Sequence, residues 1–178
     1  MCFGGWYDSS SAPDAVSDIS GGPAVVSGLP LQGRGRYGAY VNFFQQLTNN
    51  SAINVPGGLS LFLNATIADR RSAFIDAQVA GSLVYTGLFR SRPDDDIGLA
   101  VGTTHLNSRV AWSEMLQNLA GLGPVPVQSS EYVVEAYYTY LPLNGLKVRP
   151  NIQYVIDPGG IGQDRNALVF GLKTVANF

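Results

Sequence analysis

Gly33-Arg34-Gly35-Arg36-Tyr37-Gly38 has the G-x-G-x-x-G spacing of a dinucleotide-binding turn. That chemistry needs a strand before the glycines and a helix after them, so that phosphate meets a helix N-terminus. A Pro/Gly-rich stretch precedes these residues and an aromatic strand pattern follows, so the glycines read as loop chemistry. Asp76, Glu131 and Glu135 raise the question of a glycosidase pair, whose carboxyls stand about 5–10 Å apart. Glu131 and Glu135 lie four residues apart on one strand face, or roughly 13 Å at ~3.3 Å per residue. That is too far for either glycosidase geometry, and the acids read as solvated charge on a polar face. His105 is the single histidine and has no Cys or carboxylate at ligand spacing, so neither a metal site nor a catalytic triad is expected. Asp94-Asp95-Asp96 lacks the glycine and distal Glu of a calcium loop and reads as a solvated turn. Ser72, Ser82 and Ser113 sit in no nucleophile elbow. The lone Cys2 rules out an internal disulfide framework and reads as an inert small residue, with lipidation as the alternative. No enzyme activity, cofactor or metal is expected.

Binding chemistry is better supplied. Arg34, Arg36, Arg70, Arg71, Lys147 and Arg149 could donate hydrogen bonds to sugar hydroxyls, since guanidinium groups offer forked donors and stack on rings. The alternative is charge balance with neighbouring acids, above all Asp69 beside Arg70 and Arg71. Tyr137 could stack on a sugar ring or simply fill space. What decides between these readings is the elements that carry the residues.

The clearest element is Gly145–Asp157, where Leu146, Val148, Pro150, Ile152, Tyr154 and Ile156 alternate with Lys147, Arg149, Asn151, Gln153, Val155 and Asp157. A two-residue period means a strand with one apolar and one polar face. Strands in soluble proteins run about 5–6 residues, whereas a tilted membrane strand needs ~9–11. The same alternation holds over Gly58–Ala68, Ala73–Gly87, Glu131–Leu141 and Asn166–Phe178, and more weakly over Phe3–Asp8, Arg36–Leu47 and Asp96–Asn107. Asp76, Gln78, Glu131, Glu135, Tyr137, Lys147, Arg149 and Gln153 fall on the polar faces.

Eight strands in 178 residues predict an all-β protein, an antiparallel transmembrane β-barrel. Composition agrees: charged residues are 13% of the chain, against roughly 25% in soluble domains. Helical spans fail, because the uncharged run Tyr37–Ala68 is broken by Gln45, Gln46, Asn49, Asn50, Asn54, Pro56, Gly57 and Gly58. A net charge of −2 argues against nucleic acid. An open sheet edge cannot face lipid, which is why the strands must belong to a closed wall. Apolar faces then point to lipid and polar faces inward, with Tyr7, Tyr37, Tyr85, Tyr132, Tyr140 and Phe178 placed for interfacial girdles. The N-terminus carries no secretory pattern, and Met1-Cys2-Phe3 leads straight into a strand, which suggests an internal start.

Barrels of this kind have short periplasmic turns and longer outer loops. The residues between strands place Thr48–Gly57, Leu88–Asp95 and Pro142–Asn144 on the periplasmic side. Outer connections are residues 9–35, 69–72, 108–130 and 158–165, so the two longest loops, 9–35 and 108–130, share the outer side. A short helix is predicted near Val110–Ala120, where Trp112, Met115, Leu116 and Leu119 share a face.

Several segments together resemble the carbohydrate-selective porins of the OprB type. They are Gly5-Trp6-Tyr7-Asp8, Arg36-Tyr37-Gly38-Ala39-Tyr40 with Gln45-Gln46-Leu47, Gly58–Phe62, Tyr85-Thr86-Gly87-Leu88, Asp94–Ala100, Glu131–Tyr140, Val148–Gly160 and Asn166–Phe178. The terminal Phe178 also resembles an outer-membrane assembly signal. The resemblance spans nearly the whole chain, with 153–160 its most specific block. It implies a sixteen-stranded barrel, often a homotrimer, that passes glucose-type monosaccharides passively across the Gram-negative outer membrane. This chain would supply a partial barrel over residues 1–178, the C-terminal eight strands. Pore-lining candidates are Arg36, Asp76, Gln78, Glu135, Tyr137, Lys147, Arg149 and Gln153, with sugars and outer-membrane lipid as partners. Two other readings stay open: a closed eight-stranded structural barrel, and a soluble carbohydrate-binding β-sandwich.

Overall fold

A computed structural model describes residues 1–49 and 57–177. The strands are β1 (Cys2–Asp18), β2 (Pro30–Gln46), β3 (Gly58–Ala68), β4 (Ile75–Thr86), β5 (Asp96–Leu106), β6 (Ser130–Leu143), β7 (Leu146–Ile156) and β8 (Ala167–Ala176). All eight form one antiparallel sheet in chain order. Each has 10 or more residues, the length a tilted membrane strand requires. The sheet is open: β1 and β8 have one strand neighbour each among the described residues.

Neither alternative architecture is formed. A β-sandwich needs a second sheet and an apolar layer between the two. There is one sheet, and among the described residues the buried apolar side chains are only Ala12 and Leu106, while Phe170 and Leu172 are 74% and 68% exposed. The closed eight-stranded barrel is ruled out by the open edges. Buried groups are instead polar, among them Asp14, Asp69, Asp76, Asp95, Asn107 and Thr139. That inversion is what a wall between lipid and a polar lumen requires. Among the described residues, no helix is long and apolar enough to cross a membrane.

Register shows that the alternation read from the sequence is one face of a continuous sheet. Leu59, Leu61 and Leu63 of β3 pair with Tyr85, Leu83 and Gly81 of β4, which pair in turn with Ile97, Leu99 and Val101 of β5. The row continues through Tyr138, Ala136 and Val134 of β6. Tyr7, Tyr37, Tyr85, Tyr132 and Tyr140 all belong to this apolar face.

The connection expected as a loop over 9–35 is mostly a hairpin. β1 runs on to Asp18 and β2 begins at Pro30, leaving 19–29 with the single-turn helix α1 (Ala24–Ser27) between them. Bulges between Asp8 and Ser11 and between Pro13 and Asp18 break the alternation there, which is why the period hid the strand. Helix α2 (Ser108–Leu119) starts two residues before the predicted span, because the Asn107 side chain caps it by accepting from the Arg109 amide at 3.0 Å. The short connection 69–74 is held from both sides. Ala15 donates its amide to the Arg71 carbonyl at 2.9 Å, and Asn107 donates its amide to the Phe74 carbonyl at 2.9 Å. Arg109 reaches Asp14 at 2.6 Å and ties α2 to β1. Most of the predicted turn at 48–57 and the terminal Phe178 lie outside the described residues.

Candidate functional site: the polar wall of β5–β8

Antiparallel register lines up inward side chains from different strands in rows across the sheet. One row runs Asp96, Thr139, Arg149 and Lys173 over β5, β6, β7 and β8. Asp96 pairs with Thr139 and Arg149 with Lys173, while Thr139 faces Arg149 in the register that pairs Tyr137 with Asn151 and Tyr140 with Val148. The next row is Gly98, Tyr137, Asn151 and Gly171, and the one after is Ala100, Glu135, Gln153 and Val169. Neighbouring strands lie about 4.8 Å apart, so a row of four spans ~14 Å, wide enough for a sugar ring to touch two or three members.

These rows are bonded into a network. Thr139, 1% exposed, donates its hydroxyl to Asp96 Oδ1 at 2.7 Å and accepts from Arg149 Nε at 2.7 Å. Arg149 Nη2 is 3.7 Å from Asp96 Oδ1, and its Cζ stands 4.2 Å from the centre of the Tyr137 ring. Asn151 Nδ2 donates to Glu135 Oε1 at 2.6 Å, and Lys173 Nζ lies 3.6 Å from the same oxygen. The glycines make room for the large members. A Cβ on Gly98 would collide with the Tyr137 ring, and one on Gly171 with the Asn151 amide. The same device recurs on β1 and β2, where Tyr40 covers Gly4 and Trp6 covers Gly38.

Of the residues singled out in the sequence, Glu135, Tyr137 and Arg149 meet in this network. Lys147 is two positions along β7 from Arg149 on the same face, with no carboxylate in ion-pair range among the described residues. Gln153 faces Glu135, and Gln78 faces Thr66 and Thr104. Arg36 is on the inward face near the other end of the sheet, ion-paired with Asp8 and 3.0 Å from Ser10 Oγ. A bulge between Ile75 and Ala77 takes Asp76 out of the alternation, and its carboxylate binds Arg70 Nε at 2.9 Å and His105, a residue in the row of Ala77 on the apolar face. Asp76, Arg70, Arg71, His105 and Asp14 line a cleft of about 880 Å³ at that end of the sheet, apart from the β5–β8 network.

Sequence reasoning missed Asp96, Thr139, Asn151 and Lys173 as network members. The acidic run 94–96 is also more than a solvated turn. Asp94 is exposed, Asp96 enters the wall, and Asp95 is 3% exposed. Asp95 binds Arg92 and the Tyr138 hydroxyl, and accepts from the Leu141 amide at 3.0 Å. The Arg92 bond above all, with the Tyr138 and Leu141 bonds behind it, holds the Asp95 carboxyl down at about 2 against the opposing effect of burial.

The wall is thus polar and hydrogen-bonded on one face, apolar and exposed on the other, with no group of three or more potential metal ligands among the described residues. A family model of carbohydrate-selective porins, the OprB family, matches residues 2–178. The chain belongs to the OprB family. Its sequence is 36% identical to Porin B of Pseudomonas aeruginosa, over 96% of this chain and 39% of that protein. Among solved structures, OprB of Pseudomonas putida at high pH superposes with a TM-score of 0.93 and 36% identity, covering 99% of this chain and 44% of that one. The low-pH structure of the same porin gives a TM-score of 0.60, with 31% identity over 99% of this chain and 47% of that one. The chain therefore spans less than half the length of these OprB relatives.

Proposed function

We propose that the chain is half the wall of an outer-membrane pore that passes glucose-type monosaccharides passively, with no catalytic step. The observation that carries this reading is the β5–β8 network, in which donors and acceptors are mixed on one face while the opposite face is apolar. A sugar hydroxyl donates and accepts at once, so a mixed row suits it at every step along the pore. Such contacts are strong enough to favour entry and weak enough to allow exit. Lipid covers the apolar face in this reading, and a homotrimer would bury part of it.

Single-channel currents in a planar bilayer test the proposal, with the refolded chain titrated against glucose. Discrete openings that glucose blocks support it. Openings that no sugar modulates overturn the sugar assignment. Elution of the detergent-solubilised protein at three times the mass of one complete barrel supports the trimer, and elution as one barrel removes it.

A further inference from the structure

We propose that Asp96, Thr139 and Tyr137 lock the Arg149 guanidinium as the hydroxyl donor of the pore wall, so that Arg149 touches the solute and Tyr137 positions it rather than stacking on sugar. This rests on the sugar-pore reading and names its contact. The Tyr137 ring is the obvious sugar platform, but it is spoken for: one face carries the Arg149 guanidinium with Cζ 4.2 Å from the ring centre, and the ring packs over Gly98. Arg149 is held from three directions. Nε donates to Thr139 Oγ1 at 2.7 Å, Nη2 is 3.7 Å from Asp96 Oδ1, and Cζ stands over the Tyr137 ring. Thr139 cannot drift, since its hydroxyl is bonded to Asp96 at 2.7 Å and its side chain is buried.

A free arginine loses much rotamer freedom when it binds, and a prefixed fork loses less per bond formed. Nε makes the hydrogen bond and Nη2 is in ion-pair range of Asp96, so both Nη groups keep donors for a solute, on a side chain 35% exposed. The fixed donor is flanked by acceptors, because Asp96 and Glu135 each keep an oxygen with no ion-pair partner. Arg149 has its own carboxylate in Asp96 and Lys173 has its own in Glu135, so this pair of rows is electrically balanced. A balanced surface of donors and acceptors selects a neutral polyhydroxyl solute over a carboxylate or phosphate. Lys147 is the nearby cation outside this balance, which makes the anionic competitor a necessary part of the test.

The experiment is a 1H–15N spectrum of the refolded, arginine-labelled chain in detergent micelles, with the Arg149 Nε–H signal identified by its loss in Arg149→Lys. Peak dispersion reports folding in the same spectrum. The Arg149 Nε–H should exchange with water about tenfold more slowly than that of exposed Arg90, as a hydrogen-bonded proton does. Glucose should shift it saturably. Thr139→Val and Asp96→Asn should speed the exchange and raise the half-saturating glucose concentration about fivefold, the change produced by losing one hydrogen bond. Thr139→Ser, which keeps the hydroxyl, and Tyr137→Phe, which keeps the ring, should leave both readouts in place. Fast exchange in the parent chain overturns the locking and leaves the porin reading untouched. Slow exchange without any glucose shift overturns Arg149 as the contact, and channel currents still judge the porin reading separately. Loss of the glucose shift in Tyr137→Leu with Nε–H still protected returns Tyr137 to the role of stacking platform. Gluconate saturating at a tenth of the glucose concentration overturns the neutral solute class.

Discussion

Arg149 and Lys173 stand directly opposite each other across β7 and β8, two like charges in one cross-strand pair. Such pairs are destabilising unless neutralised. Here Asp96, 3.7 Å from Arg149, and Glu135, 3.6 Å from Lys173, supply the compensation from strands on the other side. Glu135→Gln should therefore move the ion preference of the pore toward anions, because Lys173 loses its carboxylate while the glutamine carbonyl can still accept from Asn151. Lys173 is largely exposed, so the stability cost should stay at about 1 kcal/mol or less. The reversal potential in a KCl gradient checks the direction, and a move toward cations contradicts the pairing.

Gly98 sets how far Tyr137 projects. With no Cβ beneath it, the ring lies down on β5, and a side chain there would lift it into the lumen. Gly98→Val should lower single-channel conductance and cost about 1–3 kcal/mol through overpacking. The double change Gly98→Val with Tyr137→Ala should recover conductance, since the displaced ring is then gone. Equal conductance in the parent and in Gly98→Val would show that the ring does not reach the conducting path.

The period of two made the strands legible, and with them the two faces of the sheet. β7 is the example: its Lys147-to-Asp157 alternation named Arg149 and Gln153 as inward before any register was known. Two kinds of feature escaped. Bulges shift phase, so residues 9–18 of β1 read as loop. Register is the other, because a period tells which face a residue is on but not which residue stands beside it. Thr139 and Asp96 looked unremarkable alone, and only the pairing of β5 with β6 and β6 with β7 puts them in line with Arg149. The glycines could have helped. Gly171 interrupts the large-residue run Leu168–Lys173 of β8, and a glycine in such a run signals a bulky neighbour across the strand.

Asp95 makes one end of the sheet sensitive to acid. Its carboxyl titrates at about 2 in the folded chain, against about 3.9 when unfolded. A lowered folded value means the charged form is favoured by folding, so its contribution is complete above pH ~4 and is lost as pH falls from there through ~2. Urea midpoints in detergent should drop between pH 5 and pH 2.5 in the parent and drop less in Asp95→Asn. Asp95→Asn should also be the less stable chain at pH 7, having lost the charge that binds Arg92. An identical pH slope in both chains would remove Asp95 from the acid response.

Leu99 and Ala100 are neighbours on β5 whose side chains point to opposite faces. Leu99 joins Leu83 and Ala136 in the apolar row, while Ala100 joins Ser82 and Glu135 in the polar one. If the apolar row meets lipid, an arginine at 99 must be taken into hydrocarbon near mid-strand, at a cost of about 2–4 kcal/mol. The same arginine at 100 enters an aqueous lumen beside Glu135 and should cost under ~1 kcal/mol. Urea titration in phospholipid vesicles should then give a far lower midpoint for Leu99→Arg than for Ala100→Arg. In water the contrast would vanish, because the 52% exposed Leu99 has no packed layer over it to disrupt. The difference between the two substitutions thus reads the bilayer itself, and the reverse order would mean that the faces of the wall have been assigned the wrong way round.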